Sequence, residues 1–362
     1  MSDAPAPVEQ EILDDLRRRL LAFRRVALPP GLGWDRGTDG DYLADLIGYW
    51  VDTYDWREHE DRIRARPWAR TTSAGLGVRS LHQRADDDRA PAVVLLHGWP
   101  DSVLRFERVL PLLADLHVVV PALPGYPFAE SVAMQGMSST AMADVVAGVM
   151  AELGYQRYVV SGGDIGTGIG EALAAARPDR VAALHLTDVP YRHLLSIPAD
   201  ELSEAEREYL AAGQDWQRTE GAYLQEQATK PHTLAVGLND SPAGLAAWII
   251  EKLRSWSDCG GDVESVFPRD DLLTWITAYW VTGTIGTSFS PYVEPRSPVG
   301  RVEVPLAVSL FPHDLVRAPR SYAERFYDVR FWDEQRAGGH FGAWERPEAF
   351  VSGLRAAVEI GN

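Results

Sequence analysis

The sequence predicts an α/β protein: a mostly parallel, doubly wound sheet with a helical insertion, preceded by a helical segment that wraps the main domain. Three observations carry this. Short, nearly continuous apolar runs alternate with helical patterns over residues 91–187 and again over 302–358, the pattern of strands buried on both faces between crossover helices. Between these stretches, from about residue 195 to 295, the periodicity is helical and no convincing strand occurs. Finally, Tyr158-Val159-Val160-Ser161 feeds Gly162-Gly163-Asp164-Ile165-Gly166, after which the chain reads as helix.

Taken in order, residues 9–26, 41–54 and 56–66 read as amphipathic helices, the first ended by Pro29-Pro30-Gly31. A three-helix bundle of this size is marginal alone, so these helices are expected to wrap around the main domain. Residues 77–82 look like a strand and 84–89 like a polar turn. Strands follow at 91–96, 117–121, 158–162 and 180–187, with helices over 103–113 and 138–153; Ser139 or Thr140 is the expected cap of the latter. The insertion holds long helices over 202–212, 241–256 and 271–282. The α/β rhythm resumes with strands at 302–311 and 329–332 and helices at 318–326 and 347–358. The expected division is 1–85 (N-terminal wrapping segment), 86–194 (first part of the core), 195–295 (helical cap) and 296–362 (second part of the core).

Composition narrows the function. With 46% hydrophobic and 24% charged residues the chain is ordinary for a globular protein. A net charge of −17 argues against nucleic acid and anionic membrane surfaces as partners. No apolar run approaches a membrane span of ~20 residues, and the first ten residues carry no signal-peptide pattern. Cys259 is the sole cysteine, which excludes an intramolecular disulfide and any cysteine-cluster metal site. A cytoplasmic protein is the expectation, with a homodimer the default for any assembly.

The stretch around Asp164 has the layout of a nucleophile elbow, small-x-nucleophile-x-small, in which a strained strand-to-helix turn holds one side chain above the strand's end. Here the tip is a carboxylate. It can displace a leaving group from an sp³ carbon and form an ester that water must cleave. Asp314, in Phe311-Pro312-His313-Asp314, and His340, in Gly338-Gly339-His340-Phe341, also follow predicted strands. The order nucleophile, acid, histidine is that of the α/β-hydrolase triad. His340 would deprotonate water, and Asp314 would fix the imidazole tautomer and steady its cation. The backbone N–H groups of Trp99 and Ile165 are placed to hold the ester's oxyanion. Both residues are also expected to touch substrate. His97 reads as a brace for its own loop, and Glu251 with Lys252 as a polar helix face.

These residues, with the N-terminal helices, resemble the epoxide hydrolases of the microsomal type. The likeness runs through Gly33-Trp34-Asp35, Tyr54-Asp55-Trp56-Arg57, His97-Gly98-Trp99-Pro100 and Gly162-Gly163-Asp164. It continues through Thr229-Lys230-Pro231, Leu238-Asn239-Asp240-Ser241-Pro242, Tyr279-Trp280-Val281-Thr282-Gly283 and the two loops bearing Asp314 and His340. The resemblance implies an α/β-hydrolase core with a helical cap and hydrolysis of an epoxide to a vicinal diol, with water as co-substrate and neither cofactor nor metal. It further implies two cap tyrosines that grip the epoxide oxygen, which by position are Tyr223 and Tyr292. Ring opening makes an alkoxide, and a phenol of pKa about 10 can protonate it. Members of this branch serve in detoxification or in natural-product biosynthesis. One departure is Ile165, where the family usually has tryptophan; it leaves a smaller wall beside the attacked carbon and suits a bulky substrate or altered regioselectivity.

Two other classes use related parts. A haloalkane dehalogenase would run the same aspartate-histidine chemistry, but it needs halide-cradling N–H donors that the Ile165 side chain lacks. A non-catalytic binding protein on this scaffold would have no need of an aligned base and orienting acid. A serine esterase is disfavoured because Ser161 precedes the elbow tip.

Overall fold

The N-terminal helices, read as a wrapping for the core, lie mainly against the cap. A computed structural model describes residues 3–130, 137–294 and 300–362. Helices α1 (Gln10–Leu21), α2 (Gly40–Asp52) and α3 (Trp56–Arg64) bury one stripe each, including Leu16, Leu20, Leu46, Trp50, Trp56 and Ile63. Asp39 and Asp55 cap α2 and α3 through backbone N–H groups of their first turns.

The chain then enters the sheet. Strands β1 (Trp68–Ser73) and β2 (Leu76–Gln83) form a hairpin. The first was not foreseen: Pro67 stops α3, and the following alternation of buried and exposed residues belongs to an edge strand. β3 (Ala92–Leu96) and β4 (His117–Pro121) are wholly buried, as their unbroken apolar runs require. Between them the expected helix over 103–113 is two 3₁₀ turns, Val103–Phe106 and Leu110–Leu113, with Pro111 starting the second. Helix α4 (Ser139–Glu152) is capped by Ser138, one residue earlier than expected. β5 (Tyr158–Gly162), α5 (Ile165–Ala176) and β6 (Val181–Leu186) follow.

The segment after β6 is helical, as the periodicity indicated, with more helices than were counted. They are α6 (Glu204–Thr219), α7 (Ala222–Thr229), α8 (Pro231–Asp240), α9 (Pro242–Trp256), α10 (Arg269–Thr282) and the short α11 (Ser290–Val293). A full capping box, Ser203 with Glu206, opens α6, and Ser241 caps α9. The core is completed by β7 (Val302–Leu310), α12 (Arg320–Phe326), β8 (Tyr327–Glu334), α13 (Gly342–Glu345) and α14 (Pro347–Gly361).

The eight strands form one sheet in the order β1-β2-β4-β3-β5-β6-β7-β8. From β4 to β8 every pairing is parallel, and the β1–β2 and β2–β4 pairings are antiparallel. This is the α/β-hydrolase fold. A buried polar chain crosses its centre: Ser161 Oγ meets His185 Nδ1 at 2.9 Å and His185 Nε2 meets Ser309 Oγ at 3.1 Å, joining β5, β6 and β7. Among the described residues no helix is long and apolar enough to cross a membrane.

Candidate active site

Trp99, Asp164, Asp188, Asp314 and His340 follow the carboxyl ends of β3, β5, β6, β7 and β8, where catalytic groups collect in such sheets. Asp164 sits between β5 and α5 with φ 57° and ψ −122°. A non-glycine residue there costs of order 1–3 kcal/mol and persists only where its surroundings impose it. They do so by crowding. A Cβ on Gly162 would lie 2.4 Å from the carbonyl O of Gly166, and one on Gly166 would lie 2.3 Å from that of Leu96. The turn is closed by Gly166 N–H to Gly163 O at 2.9 Å and Thr167 N–H to Asp164 O at 3.1 Å.

The Asp164 carboxylate is held by one backbone donor. The Trp99 N–H donates to its Oδ1 at 2.9 Å. Ile165 is the first residue of α5, so its N–H has no acceptor within the helix. His340 Nε2 lies 3.8 Å from Asp164 Oδ2, too far for a hydrogen bond. Among the described residues this buried nitrogen has no hydrogen-bond partner. Its other nitrogen, Nδ1, meets Asp314 Oδ1 at 2.8 Å. Burial works against the imidazolium, but the charge and hydrogen bond of Asp314, with the charge of Asp164, outweigh it and raise the His340 pKa above its ordinary value.

The loops bearing Asp314 and His340 are tied to each other. His313 pairs with Gly339 as an isolated parallel bridge, and the His340 N–H donates to Trp256 O at 2.8 Å. Glu345 accepts from the N–H groups of Gly339, Phe341 and Asp258 at 2.8–3.0 Å. Arg105, wholly buried, donates to Asp101 Oδ2 and to the carbonyl of His340, both at 2.5 Å. Asp101 in turn accepts from the Gly98 N–H at 2.8 Å, so one guanidinium joins the loop after β3 to the loop of the histidine. His97 is a brace, as expected: its Nδ1 meets Gly98 O and its Nε2 accepts from the Leu123 N–H.

Tyr223 on α7 and Tyr292 on α11 both line the cavity that contains Asp164, Asp314 and His340. Their rings are 6.1 Å apart, and Tyr223 stacks on Trp99 at 5.3 Å with an interplanar angle of 9°. Trp99 itself is fully buried behind Tyr223 and does not line the cavity, so only its N–H faces the reacting groups. Ile165 does line it. Lys252 is not a polar face. It is buried, and its ammonium lies over the Tyr223 and Trp256 rings, 5.2 and 5.8 Å from their centres, and meets Glu251 at 2.5 Å. The cavity measures about 460 Å³.

Sequence reasoning missed Asp101, Arg105, Glu345 and Asp188. Arg105 falls in what read as a helix over 103–113, where a charged residue looks like a solvated face, and Asp101 lies just before it. Asp188 stands just after β6, a strand-end position like that of Asp314, and that signal could have found it. Among the described residues no group of three or more His, Cys, Asp or Glu side chains could hold a metal ion.

A carboxylate on a strained elbow, with a donor on one of its oxygens and an acid-oriented histidine beside the other, can attack carbon and have a water activated next to it. Comparison with known proteins narrows the class. Residues 2–106 match the family model described as epoxide hydrolase N terminus, and 91–238 that of the alpha/beta hydrolase fold. A putative epoxide hydrolase of Stigmatella aurantiaca is 37% identical over 96% of this chain and 82% of its own. Epoxide hydrolase 1 of Sus scrofa is 31% identical over 95% of this chain and 86% of its own. Among solved structures, Aspergillus niger epoxide hydrolase superposes with a TM-score of 0.86 at 30% identity, covering 98% of this chain and 94% of that one. Juvenile hormone epoxide hydrolase of the silkworm Bombyx mori gives 0.88 at 28% identity, with 99% and 93% covered. The chain belongs to the epoxide hydrolases.

The packing around the carboxylate makes one prediction. A Cβ at position 98 would lie 2.4 Å from Asp164 Oδ1, so Gly98→Ala must push the carboxylate out of its place. Turnover is expected to fall by about 100-fold with the thermal midpoint little changed; steady-state kinetics beside a melting curve check both.

Proposed function

We propose that this epoxide hydrolase acts through an Asp164 ester, with His340 as the base that hydrolyses it, Asp314 as the acid that orients His340, and Tyr223 and Tyr292 as the proton donors to the epoxide oxygen. The observation that carries this reading is the unpartnered Nε2 of His340, aimed past the carboxylate with its opposite nitrogen anchored on Asp314. A base waiting for water would be arranged in this way.

Asp164 Oδ2 attacks a ring carbon, the carbon–oxygen bond breaks, and the ring oxygen takes a proton from a phenol. Oδ1, already on the Trp99 N–H, becomes the ester carbonyl. A water then loses a proton to His340 Nε2 and attacks the ester carbon; the charge gathers on Oδ1, within reach of the Trp99 and Ile165 N–H groups. Collapse expels the diol oxygen, which takes the imidazolium proton. The proton left on the Asp164 carboxyl returns to the phenolate.

The cavity suits a neutral, largely apolar epoxide. Its volume of about 460 Å³ falls in the range of small-molecule sites, and Ile165, Trp216, Tyr223 and Leu224 give it apolar walls. Along α5, Ile165 and then Gly168 leave the wall beside Asp164 low, as far as Ser139 at the start of α4. A substrate with bulk next to the attacked carbon fits such a wall better than a flat, small one.

Three predictions follow from these roles. With styrene oxide as probe, His340→Gln should accumulate protein heavier by one epoxide on the peptide containing Asp164; intact-mass and peptide spectra check this, and diol release at the wild-type rate without an adduct would sink the mechanism. The second concerns pH. Esterification removes the charge of Asp164, one of the groups that raise the His340 pKa, so the imidazole becomes easier to deprotonate when a base is needed. Ester hydrolysis in single turnovers should rise with pH through a midpoint below the one that histidine NMR gives for the free enzyme; an equal or higher midpoint refutes the coupling. Third, Ile165→Trp should narrow the wall, cutting kcat/KM for bulky epoxides by about tenfold or more while sparing small ones. An unchanged substrate range and regioselectivity would mean that this wall does not select.

A further inference from the structure

The mechanism above gives no task to Asp188, an acidic group of the cavity. Asp188 follows β6 and lies on the cavity wall beside Asp164. Its Oδ1 accepts two hydrogen bonds, from the backbone N–H of Asp164 at 2.8 Å and from the Thr167 hydroxyl at 2.6 Å. The first of these reaches the one backbone group that must stay fixed if the strained residue is to keep its conformation. The second grips the first turn of α5, so a single oxygen spans the elbow from strand to helix.

We propose that Asp188 is a positioning residue for the nucleophile, holding the Asp164 backbone in its strained conformation through Oδ1 while the ester forms and breaks. The alternatives for that N–H are poor. Asp164 precedes the first residue of α5, so its N–H points away from the helix ladder, and an unsatisfied buried donor would cost of order 1–3 kcal/mol. Relaxing φ to a negative value would swing the carboxylate off the Trp99 N–H and away from His340. Asp188 therefore acts on the reaction through where Asp164 stands.

The task asks for an acceptor oxygen and not for a charge. Asp188 opens only onto the cavity, and that burial, with Asp314 and Asp164 facing it, pushes its carboxyl up to about 7, even though the Thr167 and Asp164 hydrogen bonds pull the other way. A proton on the far oxygen leaves Oδ1 free to accept. It also spares the nucleophile a second full negative charge alongside.

The inference rests on Asp164 as nucleophile, and the test separates the two. In the His340→Gln background, the rate of ester formation with styrene oxide is read by intact mass. Adding Asp188→Ala should slow it by about 10- to 100-fold at saturating epoxide, with the half-saturating concentration little moved. Adding Asp188→Asn, which keeps an acceptor oxygen of the same reach without the charge, should recover most of that loss. Equal rates for His340→Gln with and without Asp188→Ala would overturn the role, and so would an asparagine variant as slow as the alanine one. If Asp188→Ala does not fold, the asparagine variant decides alone. No ester in His340→Gln with Asp188 intact would remove the nucleophile assignment, and this inference with it.

Discussion

A carboxylate can attack carbon only if it is presented bare, and proteins seldom leave a charged side chain bare at the end of a buried strand. Here the problem is solved in the backbone. At φ 57° and ψ −122° Asp164 is turned out of both the strand and the helix it connects, and that conformation needs support that the residue cannot give itself. Glycines at 162 and 166 let the strand, the helix and the end of β3 close to distances that no Cβ would tolerate. The position of the carboxylate on the Trp99 N–H, and hence its relation to His340, depends on this one turn.

The second constraint is charge. Asp101, Asp164, Asp188 and Asp314 lie around His340, His97 and the buried guanidinium of Arg105. Burial penalises Arg105, yet Asp101, Asp164 and Asp314 keep it charged, and Arg105 with His97 holds Asp101 down to about 2 despite its burial. The Arg105–Asp101 pair is thus neutral as a unit and structural in its contacts. What remains is a histidine between two carboxylates, with a third, Asp188, that burial biases toward its neutral form.

Much of this was legible in the chain. Once the strands were read, the elbow, the two later loops and their order followed, because each of these residues sits where an apolar run meets a glycine or a turn. The helical nature of the cap was legible for the same reason. What escaped depends on contacts far apart in sequence. Trp68–Ser73 pairs as an edge strand with β2 and has no long apolar run of its own. Lys252 looks like a surface cation until its ammonium is placed against the faces of Tyr223 and Trp256. Arg105 and Glu345 act by bridging loops 235 and 87 positions away, and no local pattern encodes that. The Trp99 side chain reads as a substrate wall only while Tyr223 is not in front of it.

The placement of the N-terminal segment connects these layers. Its helices meet the cap through Arg19 with Asp240 at 2.7 Å, the Thr38 hydroxyl with Ala247 O at 2.7 Å, Tyr54 with Thr274 at 3.1 Å and Arg269 with Asp45 at 2.6 Å. Two of the cap elements so held are α9 and α10. The last residue of α9, Trp256, accepts the His340 N–H, packs edge-on to the His340 ring at 5.4 Å and lies 5.0 Å from the ring of Tyr223. One helix end therefore fixes the proposed base and one proposed proton donor relative to each other, although the two come from opposite sides of the cavity. A segment that anchors α9 to the body of the protein limits how far the cap can shift without moving both.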